Sequence, residues 1–303
     1  MSRDMIGRRE LLLGGVLAAG AGMTSRVMAA DEVIGSGLPK LKITNVTTYL
    51  LETPLKQPFG PSVSVVFEKT RSALLVKVET DEGIVGWGET APINGARGTI
   101  VEVIGPMLIG KNPLERRKLW RSMWGANFGN ALAVGAVDMA LDDIRGKALG
   151  MPLAELYGGR MRDRVLAYAS GMNYQQGMEP EEHYVNDAIN LVRRGFKAIK
   201  MRLGRYPVAR EAKFIAEVRR AVGPEIKLMA DGNGAYTMKT ALEMADVLRE
   251  NNFEFWEEPL PQAPNYTAYD KLREKMPLPL AGGEVLDSRM NAAELIRKRG
   301  VDI

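Results

Sequence analysis

Three carboxylates stand where apolar runs end: Asp231 after residues 226–230, Glu257 after 253–256 and Glu284 after 278–283. By subtraction their spacings are 26 and 27 residues. Each interval fits one strand, one helix and two short loops, which is the repeat of a parallel βα barrel. Strands repeated in this way finish on one face, so the three acids are expected to meet there. Converging carboxylates repel one another and are costly to keep ionised without a cation between them. An all-oxygen donor set selects a hard divalent ion, with Mg²⁺ the leading choice because it keeps positions open for water or substrate. One unit earlier, the run 196–203 carries Lys200 and Arg202, two residues apart and therefore on one side of a strand. A cationic pair then faces the three acids.

These residues read, in order, Lys-Met-Arg, Asp-Gly-Asn, Glu-Glu-Pro and Gly-Gly-Glu. In that order and spacing they resemble the enolase superfamily, in particular its mandelate racemase and muconate lactonizing group. Gly-Trp-Gly-Glu at 86–89, Ala-Val-Asp-Met-Ala-Leu-Asp-Asp at 136–143 and Gly-Lys-Ala-Leu-Gly-Met-Pro at 146–152 resemble the same group's capping domain. The resemblance implies an α+β capping domain followed by a TIM-like (β/α) barrel. It also implies Mg²⁺ held by Asp231, Glu257 and Glu284, and removal of a proton α to the carboxylate of a small-molecule substrate. Such protons are weakly acidic, so the ene-diolate must be stabilised by charge placed where its oxyanions form.

The family's ligand matches the first Glu of Glu-Glu-Pro, which assigns Glu257 rather than Glu258. Strand alternation would turn Glu258 to the opposite face, where it is expected to support a ligand or a lysine from outside. Asn233 is expected to support the ligands in the same way, with a plain turn residue as the alternative. Lys200 and Arg202 are the catalytic candidates. Arg202 departs from the family pattern, in which a second lysine commonly stands here and can serve as the base. A guanidinium stays protonated and cannot easily take that part. Arg202 is therefore expected to orient a substrate carboxylate or to lower the pKa of Lys200 as a neighbouring cation. His183, the only histidine, lies in a polar stretch on a predicted helix. It is expected at the outer surface without a role in catalysis.

With 303 residues, 46% hydrophobic and 26% charged, the chain is an ordinary globular protein of one or two domains. The net charge of +4 raises nucleic acid as a partner, but Lys and Arg are scattered among acids rather than gathered in runs, which argues against it. Cysteine is absent, which excludes disulfides, thiolate metal sites and a Cys nucleophile; a single histidine excludes His-rich zinc sites.

Residues 1–30 read as a targeting segment: Arg8 and Arg9 precede an apolar run from 11 to 22, and Ala29 and Ala30 offer a cleavage site. The paired arginines resemble a twin-arginine export signal, so a periplasmic location is expected. The run is too short for a permanent membrane span, so no stable insertion is expected once the signal is removed. Removal takes four arginines (3, 8, 9 and 26) against Asp4 and Glu10, leaving +2 of the original +4.

Residues 40–150 are expected to form the capping domain. Strands are predicted at 43–51, 72–79 and 84–89, helices at 98–109, 114–124 and 131–149, and a mobile loop at 54–67. Residues 151–303 are expected to form a partial barrel. Its strands are placed near 165–169, 196–201, 226–230, 253–256 and 278–281, with 301–303 opening another. Its helices are placed at 179–194, 208–222, 237–250, 266–275 and 288–299. A family barrel needs further strands, so the fold is expected to be incomplete at the C-terminus and the 303-residue chain inactive by itself.

Because arginine carries protons poorly, dehydration of an acid sugar is expected in preference to racemisation or cycloisomerisation. The rival from another class is a degenerate, non-catalytic acid-sugar-binding protein. A metal-assisted hydrolase on the same barrel is disfavoured by the absence of His-x-His pairs. A homo-oligomer is expected.

Overall fold

The computed structural model describes residues 38–63, 66–126, 130–262 and 266–303. The expected export signal at 1–30 lies outside them. The capping unit is built on an antiparallel sheet of β1 (Ile43–Gly60), β2 (Glu68–Thr80) and β3 (Val85–Thr90). One face of β2 is apolar at every second residue, and Leu74, Val76 and Val78 are buried. Each buries enough apolar surface to contribute roughly 1.5–3 kcal/mol.

Helices α1 (Asn94–Gly98) and α2 (Gly105–Leu108), joined by a π-helical stretch, then α3 (Arg116–Ala126) and α4 (Ala131–Leu149), lie near this sheet. α4 forms as the spacing predicts. The Asn130 side chain accepts a bond from the Ala133 amide at its start, and Gly150 closes it in the left-handed conformation at φ 62°. Ala133, Ala136, Val137, Ala140 and Ile144 share the core of the sheet. Backbones approach closely here: a Cβ on Gly88 would lie 1.9 Å from the Ala136 carbonyl oxygen.

The expected loop at 54–67 is instead largely strand, since β1 runs on to Gly60 with a register irregularity between Pro54 and Phe59. Prolines fit because the far side of β1 pairs with another strand only at Phe59 and Gly60, so the missing amides lose nothing from that ladder.

A short helix α5 (Leu153–Leu156) leads to a second, parallel sheet in the order β4-β6-β7-β8-β9. Its members are β4 (Ala169–Ser170), β6 (Ala198–Arg202), β7 (Lys227–Asp231), β8 (Phe253–Glu257) and β9 (Leu280–Ala281). The first strand, expected at 165–169, is only two residues long, and Val165 and Leu166 are exposed. Residues 301–303 are not a strand, although the Asp302 amide donates to the Leu280 carbonyl at 2.7 Å.

Helices α6 (Pro180–Arg193), α7 (Val208–Val222), α8 (Met238–Glu250), α9 (Tyr269–Arg273) and α10 (Arg289–Arg297) connect the strands. Thr237 and Thr240 bond reciprocally to start α8, and Ser288 caps α10. β7 lies between two neighbours, and its Leu228 to Asp231 are all buried, as the centre of a helix-covered parallel sheet requires.

β5 (Tyr174–Gln175) follows β4 in sequence yet joins the capping sheet, pairing Phe59 with Gln175 and Gly60 with Tyr174. His183 is not on the surface as expected. It is 5% exposed, its Nδ1 lies 2.7 Å from Asp187, and its ring packs edge-on against Tyr184. Of the polar neighbours that suggested exposure, Glu181, Glu182 and Asn186 face water, while Asp187, one turn on, bonds the ring.

Candidate active site

The parallel register lines the proposed chemistry up in one row. Arg202 is opposite Asp231, Asp231 opposite Glu257, and Glu257 opposite Ala281. Because β6, β7 and β8 all end at this row, three side chains leave the strands at one level. One step lower, Lys200 is opposite Ser170 of β4.

Asp231 is fully buried and Lys200 is 6% exposed. The Lys200 ammonium lies 3.0 Å from Asp231 and donates to Glu257. The Arg202 guanidinium donates to Asp231, to the Asn233 side-chain oxygen at 3.0 Å and to the Ser170 hydroxyl at 3.4 Å. Asn233 sits in the left-handed region at φ 43°, with its amide bonded to Asp231 at 3.0 Å, so it both orients the acid and accepts from the arginine.

Two expectations change here. Burial alone would lower the Lys200 pKa, but Glu257 and Asp231 outweigh it and hold the ammonium above its ordinary value. Lys200 is thus raised, not lowered by Arg202. Second, among the described residues no three His, Cys, Asp or Glu side chains stand close enough to hold a metal ion. The reason is visible: Lys200 and Arg202 lie against Asp231 and Glu257 and neutralise them.

Glu284 lies in the turn after β9 and reaches solvent on one side. Partial loss of water, then the nearby Glu258, Asp231 and Glu257, raise its carboxyl above the usual range. The charges of the three acids thus act on one another, and carboxylate oxygens are the donors a hard divalent cation takes, although the three side chains do not converge on one point here.

Glu258 does not continue the strand. Its backbone turns left-handed at φ 41°, and its side chain is fully buried. It accepts from the Tyr266 hydroxyl, from Gln262 at 2.5 Å and from the amides of Gly283 at 3.1 Å and Glu284 at 3.3 Å. These bonds fix the backbone that carries Glu284. Burial, and then Glu258 itself, push the Tyr266 hydroxyl up, so it remains a donor.

Two groups of this site were not anticipated. Ser170 receives Arg202, and the ring of Tyr168 lies 5.8 Å from the Lys200 ammonium. The strand signal at 165–169 pointed one residue short of Ser170, and the register with Lys200 is what reveals it.

Residues 43–158 match the model of the mandelate racemase / muconate lactonizing enzyme N-terminal domain, and residues 183–303 match that of the enolase C-terminal domain-like family. The chain is 34% identical over 269 residues to a D-galactarolactone cycloisomerase of Agrobacterium fabrum, covering 87% of this chain and 70% of that protein. It is 32% identical over 245 residues to an arabinonate dehydratase of Saccharolobus solfataricus, covering 78% of this chain and 65% of that one. Among solved structures, a dipeptide epimerase from Enterococcus faecalis V583, complexed with Mg and the dipeptide L-Leu-L-Tyr, superposes with a TM-score of 0.77 at 26% identity. That match covers 86% of this chain and 73% of the epimerase. With both domain models matched in order, and the Asp231–Glu257 row at the ends of the parallel strands, the chain belongs to the mandelate racemase and muconate lactonizing group of the enolase superfamily.

Proposed function

We propose that the protein removes a proton α to the carboxylate of an acid sugar with Mg²⁺ as cofactor, and that the outcome is loss of water. The observation that carries this reading is Arg202, fixed at the end of β6 by Asp231, Asn233 and Ser170. Asp231, Glu257 and Glu284 would hold the ion, which supplies positive charge toward the oxygens of the substrate carboxylate.

Arg202 Nη1 and Nη2 are fixed donors that orient a carboxylate and do not release their protons. Lys200 Nζ is the titratable group on the same face; Glu257 and Asp231 hold it as an ammonium here, so it would take up a proton only when those carboxylates turn away from it. Racemisation needs a carrier on each face of the substrate, whereas elimination runs with one group that takes the α proton and returns it to the leaving hydroxyl. A cycloisomerase is the second reading, and the relationship to the Agrobacterium fabrum cycloisomerase favours it.

The test is to incubate the full-length gene product with a panel of acid sugars and acid-sugar lactones in deuterium oxide. The expected product is a 2-keto-3-deoxy acid. An epimer carrying α-deuterium without keto acid refutes the proposal, and binding without any turnover favours a non-catalytic acid-sugar-binding protein. Lys200→Met is expected to lower kcat/KM by about 100-fold or more, as loss of a proton carrier does.

The paired Arg8 and Arg9 support export to the periplasm by the twin-arginine route. Replacing both with lysine should leave the protein in the cytoplasmic fraction; a periplasmic double variant refutes that route.

A further inference from the structure

Glu211, in the first turn of α7, is a fully buried acid that the proposed chemistry does not use. Its carboxylate accepts from the amides of Gly204 at 2.9 Å, Arg205 at 3.0 Å and Tyr206 at 3.1 Å. It also accepts from the hydroxyls of Tyr174 at 2.5 Å and Tyr236 at 2.6 Å. Burial pushes both tyrosines well above their ordinary range, so each remains a donor. Five donors converge on one anion, a density that a buried carboxylate needs in order to stay charged.

The donors come from three different places. Gly204 to Tyr206 form the turn after β6, two residues beyond Arg202. Tyr236 ends the loop that leaves Asp231 and Asn233, and Tyr174 belongs to the β5 strand of the capping sheet. The turn is packed tightly against the Asp231 loop, since a Cβ on Gly204 would meet that of Ala235 at 2.5 Å.

The same turn reaches outward to the capping chain that follows β1. The Gly204 carbonyl accepts from the Val63 amide at 3.3 Å, and the Arg205 guanidinium donates to the Ser62 carbonyl at 2.5 Å. That guanidinium also lies 4.2 Å from the centre of the Phe67 ring. Ser62 is fully buried there.

We propose that Glu211 is a positioning residue that, through the Gly204–Tyr206 turn, seats the capping chain at Ser62, Val63 and Phe67 beside the strand ends that carry Arg202 and Asp231. Its value for substrate selection rests on the functional reading above; the seating does not. The buried anion orders a turn whose inner side faces the acid and whose outer side holds the other unit. A carboxylate that touches no substrate thereby sets where that capping chain stands.

Amide hydrogen exchange on the full chain tests this without any turnover, so its outcome is separate from that of the proposed reaction. In Glu211→Gln, a buried amide replaces an acceptor, and three backbone donors lose their anion. Exchange at Gly204, Arg205, Tyr206 and Val63 is expected to accelerate about tenfold or more, while Leu228 to Ala230 of β7 keep their protection. In Arg205→Ala, which retains the Glu211 carboxylate and the Arg205 amide, Val63 alone should accelerate and the three turn amides should not. A uniform rise across β6 to β8 in Glu211→Gln would mean that Glu211 only stabilises the fold, and unchanged Val63 exchange in both variants would overturn the link. Should Glu211→Gln fail to fold, Tyr236→Phe, which removes one of the five donors, is read in the same way against the same two outcomes.

Discussion

Asp231→Asn, Glu257→Gln and Glu284→Gln are each expected to weaken Mg²⁺ binding by about tenfold or more, because each removes a formal charge from a hard-cation site. The effect should be largest at Asp231, which is fully buried between Lys200 and Arg202. That substitution carries a second cost. Leaving two cations with one fewer counter-charge in a desolvated place destabilises by about 3–5 kcal/mol in comparable buried pairs. Calorimetry on variants first shown by circular dichroism to be folded decides the matter, and unchanged affinity in all three would end the metal assignment. Removing Mg²⁺ from the unsubstituted protein should leave it folded, since Lys200 and Arg202 already neutralise Asp231 and Glu257.

Gly88→Ala should be the most damaging single methyl in the capping unit. The new Cβ would lie 1.9 Å from the Ala136 carbonyl oxygen, and at Gly86 the equivalent atom would lie 2.0 Å from that of Ala140. Both obstacles are α4 backbone and cannot swing aside as a side chain would. The helix must lift off the sheet, opening the core of Leu74, Val76 and Val78. The expected loss is about 3 kcal/mol, the upper end for overpacking. Three of the four tryptophans, Trp87, Trp120 and Trp124, belong to this unit, so denaturant unfolding followed by their fluorescence reads the loss directly. Gly95→Ala, where a Cβ meets nothing within 4 Å, is the control and should shift stability by no more than about 0.5 kcal/mol. Equal stability of the Gly88 variant and the control would show that this contact is looser than described.

The Gly-Trp-Gly-Glu stretch was readable in the sequence as a resemblance, and the contact with α4 gives its physical reason. The row of Arg202, Asp231 and Glu257 was readable from spacing alone, because side-chain period and strand-end convergence are geometric and need no knowledge of packing. What escaped depends on contacts between distant segments. Glu211 looks like any acid in the first turn of a helix, where a charge ordinarily faces water. Only the converging turns show that it is enclosed. His183 misled for the converse reason: Glu181, Glu182 and Asn186 around it face water, while its own ring packs against Tyr184 and bonds Asp187. The two prolines of β1 read as loop because a sequence does not say which edge of a strand is unpaired. Glu258 shows a second feature only in the structure: the backbone turns left-handed at that residue, and its side chain holds the Glu284 amide.

The pairing of Tyr174 and Gln175 with the end of β1 bears on how such proteins can be recombined. A crossover placed at residue 150, where the last capping helix ends, would cut the chain cleanly in sequence but split the antiparallel sheet between two parents. The grafted unit would arrive without its own fourth strand, and the recipient's Tyr174 and Gln175 would have to pair with a foreign β1 at Gly60 and Phe59. Modular exchange among these proteins would thus have a natural seam after Gln175 rather than before it. The stretch from the end of α4 to β5 travels with the cap, and the Tyr174 hydroxyl then carries the contact with Glu211 across the seam.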